Sequence, residues 1–535
     1  MAFARIEATF NRQQYALPVL EADGDASLDL VPAFMAADGT AHHDILAAAH
    51  ATAERVNLDV VAVASMLSFQ YVVDGRSLLS GIGRRSWMTV VTDDNGEIDP
   101  ALVAPYGRRV VSPRQAASEL LSALAAELER AFAGADRVTV LLSGGLDSRL
   151  AATVLAKLAR EGRVTDNLRA MTWGLPDSRD LHFGQRVAAA LGMSWAAIDL
   201  GPSDLVTNID AVATGLGALV SPVHLHATVA MRALAWRPGD RILVSTLGNG
   251  IGRGTYLWRH LSYTRPIEPI DWLGLLRPDV SERARAELAR EIRSFRARFR
   301  ACSSIAQHEC EMLAHYVSGQ LLPVYGLLGR TAAPVHQSLS DPRTYRFLWS
   351  LSPLLRTSEL YRAALRQCSP KVAEIPYAAT NRPLYPFARP EPNNLAPFVH
   401  RYPRWIAHDL ATLIDDALAP EWWNATGLFD GAAIGRVWSS IRHHPDPHPQ
   451  TSYVLLWFCA LRRLMEPLSA DRLDRGRGPT PAAQAGPAPT AASPPWGFAG
   501  RPPERGWRRA ASLPRQAINI AACHIGATAA KLSRR

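Results

Sequence analysis

The clearest pattern along the chain begins at Arg137, where Val138 to Leu142 form an unbroken run of β-branched residues and leucine. Such a run predicts a strand buried on both faces of a parallel sheet. A Gly-rich turn follows, then apolar positions spaced for a helix over Ser148 to Leu158, a strand at Leu168 to Trp173 and a helix at Asp180 to Leu191. Ala196 to Leu200 and Arg241 to Ser245 supply further short strands. This strand and helix alternation predicts a doubly wound α/β domain, entered through a helix over Arg114 to Ala133. Beyond Ser281 the pattern turns helical, through Phe299 and again over Gln307 to Leu322, Arg343 to Leu351 and Ser358 to Gln367. Before the α/β pattern, residues 1–115 read as a small β-rich domain. It has a helical stretch from Asp59 to Val72, a turn at Asp74-Gly75, a strand around Trp87 to Thr92 and a turn signal at Asp93-Asp94-Asn95-Gly96. The expected organisation is therefore 1–115, 116–470 and 471–535.

Composition bears mainly on the last segment. Gly476 to Pro503 is too rich in Gly, Pro, Ala, Ser and Thr to offset its ordering entropy, which predicts a flexible linker. From Leu513 an Ala/Ile-rich amphipathic helix with basic ends is expected, either a tolerated tail or a weak contact with a partner or an anionic membrane surface. The net charge of +9 is concentrated there, since residues 471–535 carry 11 Lys/Arg against 3 Asp/Glu. A near-neutral body with a basic appendage argues against nucleic acid as a partner. The 535 residues, 48% of them hydrophobic, exclude wholesale disorder, and no window approaches the roughly 18 apolar residues of a membrane span. The opening MAFARIEATFNRQQ lacks the features of a secretory signal, and five cysteines without CxxC spacing fit a reducing compartment; a cytoplasmic location is expected. Only three lysines occur, Lys157, Lys371 and Lys531, so chemistry that needs an amine has few places to put one.

The sharpest chemical signal is Ser143-Gly144-Gly145-Leu146-Asp147-Ser148-Arg149, between the buried strand and its helix. Paired glycines let the backbone approach a polyphosphate, amides at a helix N-terminus point toward its charge, and Ser143 and Ser148 add hydroxyl donors. Asp147 suits Mg²⁺ bound to pyrophosphate oxygens better than phosphate itself.

The segment LLSGGLDSR resembles the signature of ATP pyrophosphatase domains, and the rest of the chain looks like class B asparagine synthetases and their relatives, the β-lactam synthetases and lasso-peptide cyclases. Gly174-Leu175-Pro176-Asp177-Ser178-Arg179-Asp180, with a helix ending Ala190-Leu191-Gly192, is similar to the family's second strand-loop-helix. Val335 to Leu348, with Ser340-Asp341-Pro342-Arg343, resembles its loop and helix beside the substrate. Asp59 to Val91 looks like the end of its N-terminal amidotransferase (Ntn-type) domain. The resemblance spans roughly residues 55 to 390. It implies an ATP-dependent, AMP-forming amide ligase with ATP and Mg²⁺ as cofactors, activating a small-molecule or peptide carboxylate as an acyl-adenylate that an amine then attacks. On it, Leu142 and Thr172 would lie at the adenosine and Gly248 and Asn249 at the phosphates; Trp173 would flank the adenosine or pack in the core.

Three departures qualify that expectation. Ala2 stands where the family has a nucleophilic cysteine, so no glutaminase activity is expected. In the second Gly-rich loop, Ser245 to Tyr256, no carboxylate occurs between Asp240 and Glu268; metal binding would fall to Asn249, while Arg253 offers a guanidinium. Thr380 occupies the position of the family's lysine, leaving Arg382 to supply positive charge. The alternatives are a lasso-peptide-type macrolactam cyclase and a nucleotide-binding pseudoenzyme. Beyond this motif set, His224 and His226 suit either a substrate contact or the core, and His443, His444 and His448 an exposed Pro-rich loop.

Overall fold

The computed structural model describes residues 34–52, 56–73, 75–84, 106–232, 234–254, 271–297, 303–445 and 449–469. Three two-residue strands, β1 (Phe34–Met35), β2 (Ala41–His42) and β3 (Gly83–Arg84), form an antiparallel sheet in the order β2-β1-β3. Five more, β4 (Arg137–Leu141), β5 (Leu168–Gly174), β6 (Ser194–Asp199), β7 (Asp240–Val244) and β8 (Val335–Gln337), form a parallel sheet in the order β6-β5-β4-β7-β8. The continuous apolar run is the centre of this sheet: Val138, Thr139 and Val140 are wholly buried, while Ser194 and Asp199 of β6, at the sheet's edge, are exposed. The helices follow the expected spacing. Leu146–Arg160 returns the chain from β4 to β5, and Arg179–Leu191 returns it from β5 to β6. The second starts where the Ser178 hydroxyl accepts from the Leu181 amide and stops at Gly192 in the left-handed conformation.

After β6 the chain crosses back to place β7 on the other side of β4. That reversal is the switch point between β4 and β7, at whose carboxyl ends α/β sheets hold ligands. Both Gly-rich loops of the sequence leave the sheet there.

In the N-terminal region the described residues contain helices Ile45–Ala51 and Val60–Phe69 as well as β1 to β3. The expected strand around Trp87 to Thr92 and the turn at Asp93 to Gly96 lie outside the described residues, as does the tail from residue 470 onward. Val60–Phe69 is buried along nearly its whole length and packs against Pro278–Ala297, with Arg76 hydrogen-bonded to Glu291 across the contact. The helix expected over Gln307 to Leu322 is part of a longer run, Ser304–Thr331, whose middle, Met312–Leu321, is π-helical. That wider turn brings Gln320 onto the Gln70 carbonyl at 2.9 Å and Tyr316 onto the Tyr71 ring. No helix among the described residues is long and apolar enough to cross a membrane.

Candidate active site at the strand-order reversal

Leu142, directly after β4, donates its amide to the Met171 carbonyl and is buried. The loop then folds on itself: the Ser148 hydroxyl accepts from the Ser143 amide at 3.0 Å and meets the Ser143 hydroxyl at 3.0 Å, while the Ser143 hydroxyl accepts from the Gly145 amide at 3.1 Å. Gly145 is the N-cap of Leu146–Arg160 and no side chain caps it. The N-terminus of a 15-residue helix therefore lies at the reversal of strand order with no side-chain cap at Gly145, an arrangement that favours an anion.

Gly144 has a second duty that the motif does not announce. A Cβ there would lie 2.6 Å from the Ala378 Cβ, and its carbonyl accepts from the Ala378 amide at 3.0 Å and from Arg149 at 3.1 Å. Arg149 is wholly buried and donates also to the Ile375 carbonyl at 2.6 Å and the Pro376 carbonyl at 2.8 Å. Burial pulls its guanidinium down to about 10. This buried arginine staples the first Gly-rich loop to the segment entering the turn Tyr377 to Arg382, closed by the Tyr377 amide on the Arg382 carbonyl.

The second Gly-rich loop reaches the first through one residue pair. After β7 the chain coils through a π-turn, Gly248–Gly252, and the Arg253 amide bonds the Gly248 carbonyl at 2.9 Å. That turn lays Arg253 against Asp147 in a two-pronged ion pair, Nε to Oδ1 at 2.9 Å and Nη2 to Oδ2 at 2.7 Å. Gly248 makes the approach possible, since a Cβ there would sit 2.5 Å from Asp147 Oδ1. Burial works against the charge on Arg253, but the Asp147 carboxylate more than offsets it and holds the guanidinium above its ordinary range. At the far end of the turn Gly252 abuts Tyr361, which is 1% exposed and whose hydroxyl finds no hydrogen-bond partner among the described residues. Burial, then the nearby Asp147 carboxylate, push that hydroxyl well above its usual range, so it stays protonated. Nothing in the helical spacing around Tyr361 marks it as a site residue.

The structure thus gathers Ser143, Gly144, Gly145, Asp147, Ser148, Gly248 and Arg253 where the two Gly-rich loops meet. Three other expected residues sit differently. Thr172 is buried with its hydroxyl accepting from Trp195 Nε1 at 3.1 Å, and it packs on Gly184 of the following helix. Asn249 and Arg382 are exposed, Arg382 on the turn that Arg149 fixes.

Trp173, at the end of β5, joins a buried ring cluster. It stacks near His226, whose Nδ1 lies 2.8 Å from the Tyr402 hydroxyl, and Tyr402 stacks on His400 at 3.7 Å between centroids. His224 meets Gln320 at 3.0 Å. The segment carrying His400 is held beside β5 by the Leu175 amide on the Val399 carbonyl. Burial lowers His224 to about 3, His226 to about 4 and His400 to about 3, so all three rings are neutral in the fold. The unfolded chain binds these protons from about pH 6.5 downward and the fold does not, so stability is complete above that pH and is lost as pH falls toward 4. His400→Phe keeps the stack on Tyr402 and removes one such proton along with a buried Nδ1 that has no partner. Its unfolding free energy, read from urea curves, should fall less steeply between pH 6 and 4.5 than the wild type's, by about 1.4 kcal/mol per pH unit. Equal slopes would show that His400 does not contribute.

Residues 119–461 match the family model described as asparagine synthase. No curated protein matches the chain. Among solved structures, NMN synthetase from Francisella tularensis is similar at 16% identity and a TM-score of 0.19, over 27% of this chain and 58% of that one. That overlap is too slight to carry an argument, whereas the family match covers well over half of the sequence and includes both Gly-rich loops and the turn at Tyr377. The chain belongs to the asparagine synthase family.

Proposed function

We propose that this protein is an ATP-dependent, AMP-forming amide ligase, akin to class B asparagine synthetases, that activates a small-molecule or peptide carboxylate for attack by an amine. The observation that carries the proposal is the helix N-terminus at Gly145, uncapped by any side chain and set beside Arg253 where the strand order reverses. In this role the first-turn amides and the Ser143 and Ser148 hydroxyls bind the polyphosphate, and Arg253 stabilises charge on the leaving pyrophosphate. The Tyr377 to Arg382 turn, pinned through Arg149, orients whatever enters beside the loop. A cytoplasmic location fits the three free cysteines among the described residues, Cys310, Cys368 and Cys459.

Magnesium fits these residues poorly. Both carboxylate oxygens of Asp147 are engaged by Arg253, and among the described residues no group of three or more His, Cys, Asp or Glu side chains could hold a metal ion. No step is therefore assigned to a protein-held metal.

The test is the product of turnover. Incubated with ATP, labelled pyrophosphate and a panel of carboxylates, the protein should return label to ATP with at least one acid, and AMP should accumulate once an amine is added. Release of ADP and inorganic phosphate instead would overturn the proposal. A nucleotide-binding pseudoenzyme is the second reading, favoured by the lack of a lysine anywhere on the Tyr377 to Arg382 turn. It requires tight ATP binding with no exchange for any acid.

A further inference from the structure

Resting on the nucleotide-binding part of that proposal, we infer that Arg253 takes the place of a divalent cation beside Asp147, so that this site binds polyphosphate with little dependence on metal. Arg253 and Asp147 have side chains only 11% and 17% exposed, and their pairing is two-pronged, the strongest form of guanidinium and carboxylate contact. A metal ion at Asp147 would have to displace both bonds. The guanidinium is also held from behind: its amide closes the π-turn on Gly248, and Nη1 reaches the Ser358 hydroxyl at 3.4 Å. These contacts use three of the five N–H donors of an arginine, leaving donors for phosphate oxygens. The charge arrangement supports the same assignment. In a magnesium site the carboxylate holds the cation that neutralises phosphate; here it holds a fixed cation that is part of the chain, and the sequence supplies no carboxylate from Arg241 through Ile267 to recruit another.

The experiment is calorimetric titration of the full chain with ATP, once with excess Mg²⁺ and once in EDTA. The wild-type dissociation constants should agree within about threefold. Arg253→Gln should weaken binding in EDTA by about thirtyfold, the loss of a charge-assisted contact, and Mg²⁺ should restore part of it because Asp147 is then free to take the ion. Asp147→Asn combined with Arg253→Gln should bind weakly in both buffers. Circular dichroism checks that the variants fold; should they not, the wild-type comparison alone decides. A wild-type affinity that drops more than tenfold in EDTA overturns the inference while leaving nucleotide binding intact. No heat from ATP in either buffer overturns nucleotide binding as well, so the two failures are distinguishable.

Discussion

Replacing Glu309 with glutamine is expected to destabilise the fold by about 3–5 kcal/mol, read as a shift in the urea midpoint, because it strips the counter-charge from a guanidinium with no access to water. Glu309 and Arg356 are both 0% exposed and meet through two bonds, Nη1 to Oε1 at 2.5 Å and Nη2 to Oε2 at 2.7 Å. The Tyr106 hydroxyl bridges them, donating to Glu309 Oε2 at 2.8 Å and accepting from Arg356 at 2.8 Å. Burial opposes the charge on Arg356, and Glu309 outweighs it, so the guanidinium titrates above its ordinary range. Glutamine keeps the shape and one acceptor but leaves that charge uncompensated. Replacing both residues by methionine together with Tyr106→Phe should recover most of the loss, since the apolar set leaves neither a charge nor the bridging hydroxyl unpaired. The pair also bears on the site: Arg356 Nη1 points at the Ile251 carbonyl, 3.5 Å away, inside the π-turn that carries Arg253. A Glu309→Gln protein that unfolds at the wild-type midpoint would show that water reaches Arg356.

Much of this architecture was legible in the chain because buried parallel strands announce themselves. The Val138 to Leu142 run and the strands near 168 and 241 all appear within a few residues of where the pattern puts them. Their helices do too, since spacing, a Ser cap and a terminal glycine agree at Arg179–Leu191. Residues that act at a distance in sequence were not legible. Arg253 and Asp147 are 106 positions apart, and only the crossing that sets β7 beside β4 brings them together. His226 and Tyr402 meet over 176 positions for the same kind of reason. Arg149, inside the motif itself, gave no sign that it would be buried, because an arginine four residues into a helix reads as surface. The spacing predicts the helix over Gln307 to Leu322 but not its π-helical middle, since a period of 3.6 residues carries no mark of a wider turn. The resemblance implies Thr172 at the adenosine, and the fold turns its hydroxyl toward Trp195.

The resemblance implies Gly248 at the phosphates, and the geometry gives it a more immediate task, from which the largest effect on the site follows. Gly248→Ala should weaken ATP binding by about a hundredfold, the scale of loss when a binding group is displaced by an ångström. The added Cβ would stand 2.5, 2.8 and 2.9 Å from Oδ1, Cγ and Cβ of Asp147. Rotating the carboxylate away relieves only the first two contacts. The third is to an atom fixed on the first turn of Leu146–Arg160, so the π-turn has to retreat and carry Arg253 with it. Gly248 does not have a left-handed backbone, so alanine is excluded there by space and not by conformation. Overpacking of this kind lowers stability by about 1–3 kcal/mol, well below the loss at Glu309, and the variant should remain folded at room temperature. Asp147→Gly combined with Gly248→Ala removes the clash but strips Arg253 of its counter-charge, so neither its stability nor its ATP affinity should return to the wild-type level. Full affinity in Gly248→Ala would mean that the two loops do not need to touch for the phosphates to bind.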